Sequence, residues 1–187
     1  MRRKLSPDRT RAFLLPALLV TLVTVVLFAA SCAKTERPEP TDSDKALLGK
    51  FAEHEAEFNR LVELARQDAH MARITYDLLQ TETATAWPRP EAEWGITRER
   101  WQAYNDLFTE LNLSNGLIQY YPTTVWLIVS GKGMEAGGSG KGYAFLTEPP
   151  KKTYDSLDNF VFKDIAVTGH FAYRPIKGNW YLFVASY

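Results

Sequence analysis

Hydrophobic residues recur along this chain with two different periods, and the change of period divides it. Between about Asp44 and about Met71, the residues Phe51, Phe58, Leu61, Val62, Ala65 and Ala69 stand three, four and seven apart, which places them on one face of an α-helix. The pattern predicts a single long first helix over that span, with Thr41 and Asp44 as an approximate capping box in front of it. Ile74 to Leu79 reads either as an extension of that helix or as a short strand. Residues 81–90, rich in Thr, Ala and Pro, form a connection marked by Pro88 and Pro90. A second helix follows, with Thr97 as N-cap, Glu99 in the first turn, and Trp101, Tyr104, Leu107, Phe108 and Leu111 on one face. Ser114-Asn115-Gly116 ends it.

From Leu117 the period falls to two. Leu117 to Tyr121 and Val125 to Ser130 are β-branched and aromatic, with Pro122 as a break between them. Tyr143 to Leu146 reads as a further strand, Phe160 to Ile165 as another. His170 to Ile176 and Trp180 to Ser186 predict a hairpin around Lys177-Gly178-Asn179. In that hairpin Trp180, Phe183 and Tyr187 are assigned to the inner face, with Tyr181 opposite. Helices first and strands afterwards predict an α+β fold, two N-terminal helices packed on a mostly antiparallel sheet of four to six strands.

Ahead of this domain lies a segment of another kind. Residues 1 to 11 are basic, Ala12 to Ala30 carries no charge, and Ala29-Ala30-Ser31 precedes Cys32, the only cysteine of the 187 residues. A basic region, an apolar region and small residues in that order predict an export signal. Small residues directly before a cysteine resemble the lipobox of bacterial lipoprotein signals, although Ala29 stands where that family more often has Leu. The resemblance implies cleavage before Cys32, acyl chains on its thiol and freed amine, and a membrane as partner. Cell-envelope localisation follows, on the periplasmic side in a Gram-negative cell, and Ala33, which is not Asp, agrees with onward sorting to an outer membrane. An uncleaved anchor, or ordinary cleavage after Ser31 or Ala33, are the alternatives. The organisation expected is a signal over 1–31, a lipidated Cys32 with a polar, proline-bearing tether over 32–43, and one domain over 44–187.

The formal charge of the chain is zero, but the leader holds Arg2, Arg3, Lys4, Arg9 and Arg11 against Asp8 alone. The 17 basic and 21 acidic residues that remain give a net charge of −4. Such a body has no basic footprint for nucleic acid, so that partner class is set aside.

Candidate chemistry is sparse. The run Gly131-Lys132-Gly133-Met134-Glu135-Ala136-Gly137-Gly138-Ser139-Gly140-Lys141-Gly142 suggests a phosphate loop, but Glu135 stands where the first glycine of that motif belongs and Gly142 where Ser or Thr belongs. It reads as a hairpin connection. His54-Glu55 lacks the second histidine of a zinc-protease helix, and no cysteine or histidine pair offers a cage, so neither metal nor cofactor is expected. Ser139, His170 and Asp158 make a nucleophile triad only on paper.

Gly140-Lys141-Gly142-Tyr143-Ala144-Phe145, Pro149-Pro150, Ser156-Leu157-Asp158, Tyr173-Arg174-Pro175-Ile176 and Asn179-Trp180-Tyr181-Leu182-Phe183, in that order, resemble a group of small bacterial exported proteins with no assigned activity. The likeness implies a shared fold and compartment and transfers no catalytic residue. Lys141, Tyr143, Asp158 and Arg174 emerge as candidate surface or turn residues, with Cys32 as the lipidation site. The expectation is a non-enzymatic binding or interaction module whose partner is an envelope protein or a glycan. A small envelope hydrolase or glycan-processing enzyme using Asp158, His170 or Asp68 is the alternative. A binding module working through the aromatic hairpin is a third reading.

Overall fold

A computed structural model of the chain describes residues 42–86, 94–120, 122–132, 139–158, 160 and 170–186. The chain divides into a unit of residues 1–36 and one of 37–187, and every described residue belongs to the second. The leader, Cys32, Thr41, the tether as far as residue 41, Pro88 and Pro90, the centre of the glycine run and nearly all of the strand expected over Phe160 to Ile165 lie outside the described residues. Among the described residues no helix is long and apolar enough to cross a membrane.

The elements in chain order are α1 (Asp44–Glu53), α2 (Glu55–Gln67), β1 (Met71–Ile74), β2 (Leu79–Thr81), β3 (Thr85–Ala86), α3 (Arg98–Glu110), β4 (Leu117–Tyr120), β5 (Thr124–Lys132), β6 (Ser139–Leu146), β7 (His170–Lys177) and β8 (Trp180–Ser186). The fold is α+β, with one eight-stranded sheet in the order β3-β2-β1-β4-β5-β6-β8-β7. Every neighbouring pair is antiparallel.

Three expectations are corrected. The sheet has eight strands where four to six were expected, because β1, β2 and β3 are two to four residues long, too short to display a period of two. Among the described residues two helices precede the sheet, since α3 lies between β3 and β4 in sequence. The long first helix is two helices with a break at His54, whose backbone turns to φ −126°, ψ 28°. Seven residues of straight helix separate Phe51 from Phe58 by ~10 Å along the axis. The break brings their rings to 5.2 Å, and each also packs on Trp180, at 5.3 and 5.7 Å. The N-cap of α1 is Ser43, whose hydroxyl accepts from Ala46 N–H, and Asp44 is the first residue inside the helix. Thr97 caps α3 as its sequence predicts, accepting from Arg100 N–H.

Strand parity sorts the sheet into two apolar faces. Toward the helices point Leu117, Val125, Leu127, Val129, Tyr143, Ala172, Trp180, Leu182 and Val184, packed with Phe51, Phe58, Leu61, Tyr104 and Phe108. Ile128, Ala144, Leu146, Tyr181, Phe183 and Ala185 form the other face, with Trp126, Phe171 and Tyr173 against them. Trp180 and Phe183 therefore lie on opposite faces, since three residues of strand reverse the side chain, and Phe183 shares its face with Tyr181. Trp180, Tyr181 and Phe183 are buried, while Phe171 and Tyr173 of the same hairpin are partly exposed and stack in a row with Trp126; Tyr187 lies outside the described residues.

Gly142 sits where β5 bulges between Ile128 and Ser130. A Cβ there would stand 2.0 Å from the carbonyl oxygen of Leu127, whereas one on Gly49 in α1 would meet nothing within 4 Å. Gly142→Ala is expected to lower unfolding stability by about 3 kcal/mol or more, because the obstacle is backbone. Gly49→Ala is expected to raise it by about 0.5–1 kcal/mol. Urea denaturation of both variants checks the pair, and a neutral Gly142→Ala would contradict the packing described.

Candidate functional site

Two groups of polar side chains organise the domain, and a third set lines an open cleft. The first group is ionic and surrounds Asp44. Lys141 and Arg174 point from β6 and β7 to the helix side of the sheet, where α1 begins. Lys141 Nζ lies 2.7 Å from Asp44 Oδ1 and donates to Asp158 Oδ1 at 2.8 Å. The first contact is an ion pair too bent to count as an aligned hydrogen bond, so Oδ1 has charge beside it but no aligned donor. Asp44 Oδ2 accepts from Arg174 Nη1 and from Leu157 N–H, both at 2.7 Å, and from Ser156 Oγ at 3.3 Å. Asp158 Oδ1 also accepts from Asp44 N–H at 2.8 Å, capping one of the amides that a helix start leaves open.

Asp44 is 1% exposed and Lys141 2%. Burial raises the Asp44 carboxyl pKa, but the ion pair with Lys141 and hydrogen bonds from Leu157 N–H and Arg174 outweigh it and hold the group at about 2. Lys141 is therefore buried, against the expectation of a surface or turn residue. So is Tyr143, whose hydroxyl donates to Leu47 O at 2.9 Å and whose burial, with Asp42 nearby, raises its pKa. Both lie inside because odd-numbered positions of β6 face the helices. Arg174 and Asp158 remain partly exposed. Of the four, Lys141, Asp158 and Arg174 come together, and the residue that joins them, Asp44, had been assigned only a capping role. A carboxylate in the first turn of a helix is ordinary in sequence, so its partners more than ninety residues away left no local signal.

The second group centres on Asp68, just beyond α2. Its Oδ2 accepts from Arg100 Nε at 2.7 Å and from the Tyr104 hydroxyl at 2.8 Å. Gln119, buried on β4, donates Nε2 to the carbonyls of Asp68 and Met71 at 2.9 and 2.6 Å. Burial first, then the bond to Asp68, pushes the Tyr104 pKa up. These contacts tie α2, α3 and β4 together and occupy the carboxylate.

The paper triad does not converge. Ser139 and His170 both pair with Ser186 from opposite sides of β8, which separates them by two strand spacings, ~10 Å, while Asp158 is engaged with Lys141. Gly131 pairs with Gly140 and Lys132 with Ser139, so the ends of the glycine run belong to one hairpin. His54 Nδ1 lies 3.9 Å from Glu57 Oε2 and 4.0 Å from Glu110 Oε1. These three are potential metal donors, but a tetrahedral ion with bonds near 2.1 Å holds its donors roughly 3.4 Å apart. As placed they form a loose polar cluster between the start of α2 and the end of α3.

The cleft has a volume of about 510 Å³ and is lined by Arg73, Thr75, Tyr76, Asp77, Leu78, Ser114 and Asn115. One wall is the β1–β2 turn. Thr75 Oγ1 accepts from Leu78 N–H at 2.9 Å and donates to Asp77 Oδ1 at 2.8 Å. The indole Nε1 of Trp101 donates to Thr75 O at 2.8 Å, fixing the turn to α3. Tyr76, 40% exposed, rests edge to face on Phe108 with ring centres 5.7 Å apart. The other wall is the α3–β4 loop. There Gly116 takes φ +64°, and a Cβ would come within 2.2 Å of Ile74 O, so only glycine lets the loop approach β1 this closely. Asn115 Nδ2 donates to Ser114 Oγ at 3.2 Å.

Arg73 stands between the walls, and its Nε is buried without a hydrogen-bond partner. No ion pair joins it to any described residue. Sequence reading passed over it, although a lone arginine among Met71, Ala72 and Ile74 was a visible signal.

Asp44→Asn is expected to lower stability at neutral pH by about 3–5 kcal/mol, since it leaves Lys141 buried without its main counter-charge. The acid dependence has a defined sign. Because the folded carboxyl titrates at about 2 and the unfolded one near its ordinary 3.8, its contribution is complete above about pH 4 and is lost as pH falls from about 4 to about 2. That contribution is on the order of 2 kcal/mol. Denaturation midpoints across this window should fall in the native protein, with this component of the fall absent from the Asn variant. Compared with protein-family models, curated proteins and solved structures, the chain matches none.

Proposed function

We propose that this protein is a lipoprotein of the cell envelope, exported and held at a membrane by acyl chains on Cys32, and that its α+β domain is a non-enzymatic binding module. The observation that carries the first half is the sole cysteine placed directly after Ala29-Ala30-Ser31, at the end of an uncharged run that follows a basic start. Each buried methylene contributes roughly 0.8 kcal/mol, so two or three chains hold a domain stably where one would not.

The second half is supported by where the polar groups go. Asp44, Lys141 and Asp158 are engaged with one another, and Asp68 with Arg100 and Tyr104. Among the described residues the cleft is lined by a single carboxylate, Asp77, whereas acid–base hydrolysis of a glycosidic bond ordinarily uses two. The other reading, a small envelope hydrolase or glycan-processing enzyme, would need Asp158, His170 or Asp68 released from these roles. The partner fits the cleft better as a small ligand or glycan than as a large protein surface.

Cys32→Ala tests the anchor. In cells fed a labelled fatty acid, the native protein should carry label and sediment with membranes. The variant should lose the label, and either appear in the soluble fraction or keep its leader. Label retained by the variant would remove the proposal.

A further inference from the structure

Resting on the binding-module reading, we infer that the cleft between the β1–β2 turn and the α3–β4 loop binds a carboxylated sugar, with its carboxylate on Arg73, its ring face on Tyr76 and its hydroxyls on Asp77, Ser114 and Asn115. The starting observation is an arginine without an acceptor. No hydrogen bond or ion pair joins the Arg73 side chain to any described residue, and its Nε is buried unmatched, a net cost to the fold. The side chain also lines an open space of about 510 Å³. Since Nε is closed to that space, an anionic oxygen entering it is met by the two terminal nitrogens, and the planar guanidinium suits a carboxylate held by two parallel bonds.

The other lining groups narrow the class of anion. Asp77 shares the cleft with Arg73 but makes no ion pair with it. A doubly charged phosphate would be balanced only in part by Arg73 and repelled by Asp77. A single carboxylate neutralises Arg73 and leaves Asp77 to accept from neutral hydroxyls. Its Oδ1 already takes the Thr75 hydroxyl, and its second oxygen meets no described donor. Ser114 accepts from Asn115, which leaves its own hydrogen to donate and the Asn115 side-chain carbonyl to accept. Groups that both donate and accept, set around a cleft, match the hydroxyls of a sugar.

Tyr76 supplies the apolar contact. Its ring is one of two large hydrophobic side chains exposed among the described residues, the other being Tyr120. Contact with Phe108 holds it in place, so the face it offers costs little ordering when a flat ligand stacks on it. The volume lies within the range of small-molecule sites, roughly 300–1,000 Å³. Ring, cation and hydroxyl partners thus stand in one cleft, and their rigid supports, Trp101 on Thr75 and Gly116 against Ile74, keep them apart before anything binds.

The test uses the full chain in detergent and isothermal titration calorimetry with three probes. N-acetylmuramic acid carries a lactyl carboxylate, N-acetylglucosamine has the same ring without it, and inorganic phosphate is an anion without a ring. The native protein should bind N-acetylmuramic acid about tenfold more tightly than N-acetylglucosamine. Arg73→Gln should abolish that difference, and Tyr76→Ala should weaken both sugars. Equal affinity for the two sugars, no binding of either, or tighter binding of phosphate would overturn the inference. The thermal midpoint of Arg73→Gln reports its folding. Should it fail to fold, Arg73→Lys, which keeps charge but loses the fork, is expected to retain part of the preference, and the native comparison of the two sugars decides alone. Chromatography after incubation with a glycan strand of alternating N-acetylglucosamine and N-acetylmuramic acid separates this inference from the reading beneath it. An intact strand supports a binding site, whereas a cleaved one would overturn the non-enzymatic reading. None of these readouts depends on Cys32.

Discussion

Lys141 brings a positive charge onto the helix side of the sheet, where almost every neighbour is apolar, and Asp44 meets it from the first turn of α1. Neither charge would be tolerable there alone, because an isolated ion out of water costs several kcal/mol. Together, with Asp158, Arg174 and the Leu157 amide completing the coordination, they join α1, β6, β7 and the segment before β7 at one point. An apolar contact at the same place could slide or rotate. Charged groups with directed bonds fix where the helix starts, and hence which residues of α1 reach the sheet.

The remaining packing on that side follows from this anchorage and from the second one at Asp68. With α1 held at its beginning and α2 at its end, the chain bends at His54, and Phe51 and Phe58 close over Trp180 and Tyr143. The two polar groups thus frame an aromatic core. They stand at the ends of the helical pair, where backbone amides and carbonyls also need partners, while the middle is left to apolar burial.

At the β1–β2 turn the same domain behaves differently. Asp44 and Asp68 are held by cations and hydrogen-bond donors, but the Arg73 side chain lines an open space without a partner among the described residues, its buried Nε unmet. Its surroundings are well supported: a hydrogen-bonded turn, an indole on Thr75, and a glycine that allows two backbones to touch. This supported frame around a partly exposed arginine is the ground on which the binding site is proposed.

Much of this architecture was legible in the residues because it is local. Thr97 caps its helix through a bond spanning three residues, Tyr104, Leu107 and Phe108 repeat with the helical period, and Lys177-Gly178-Asn179 turns one strand into the next. The burial of Lys141, the role of Asp44, the break at His54, the short strands β1 to β3 and the gathering of Arg73 with Ser114 and Asn115 were decided only by tertiary structure. Each depends on groups far apart in sequence, and neither a period nor a propensity records which distant residue will neutralise a charge or leave it open. The leader and its cysteine are the opposite case: the export and lipidation proposed for them depend on the order of residues in the linear sequence, which no tertiary contact has to complete.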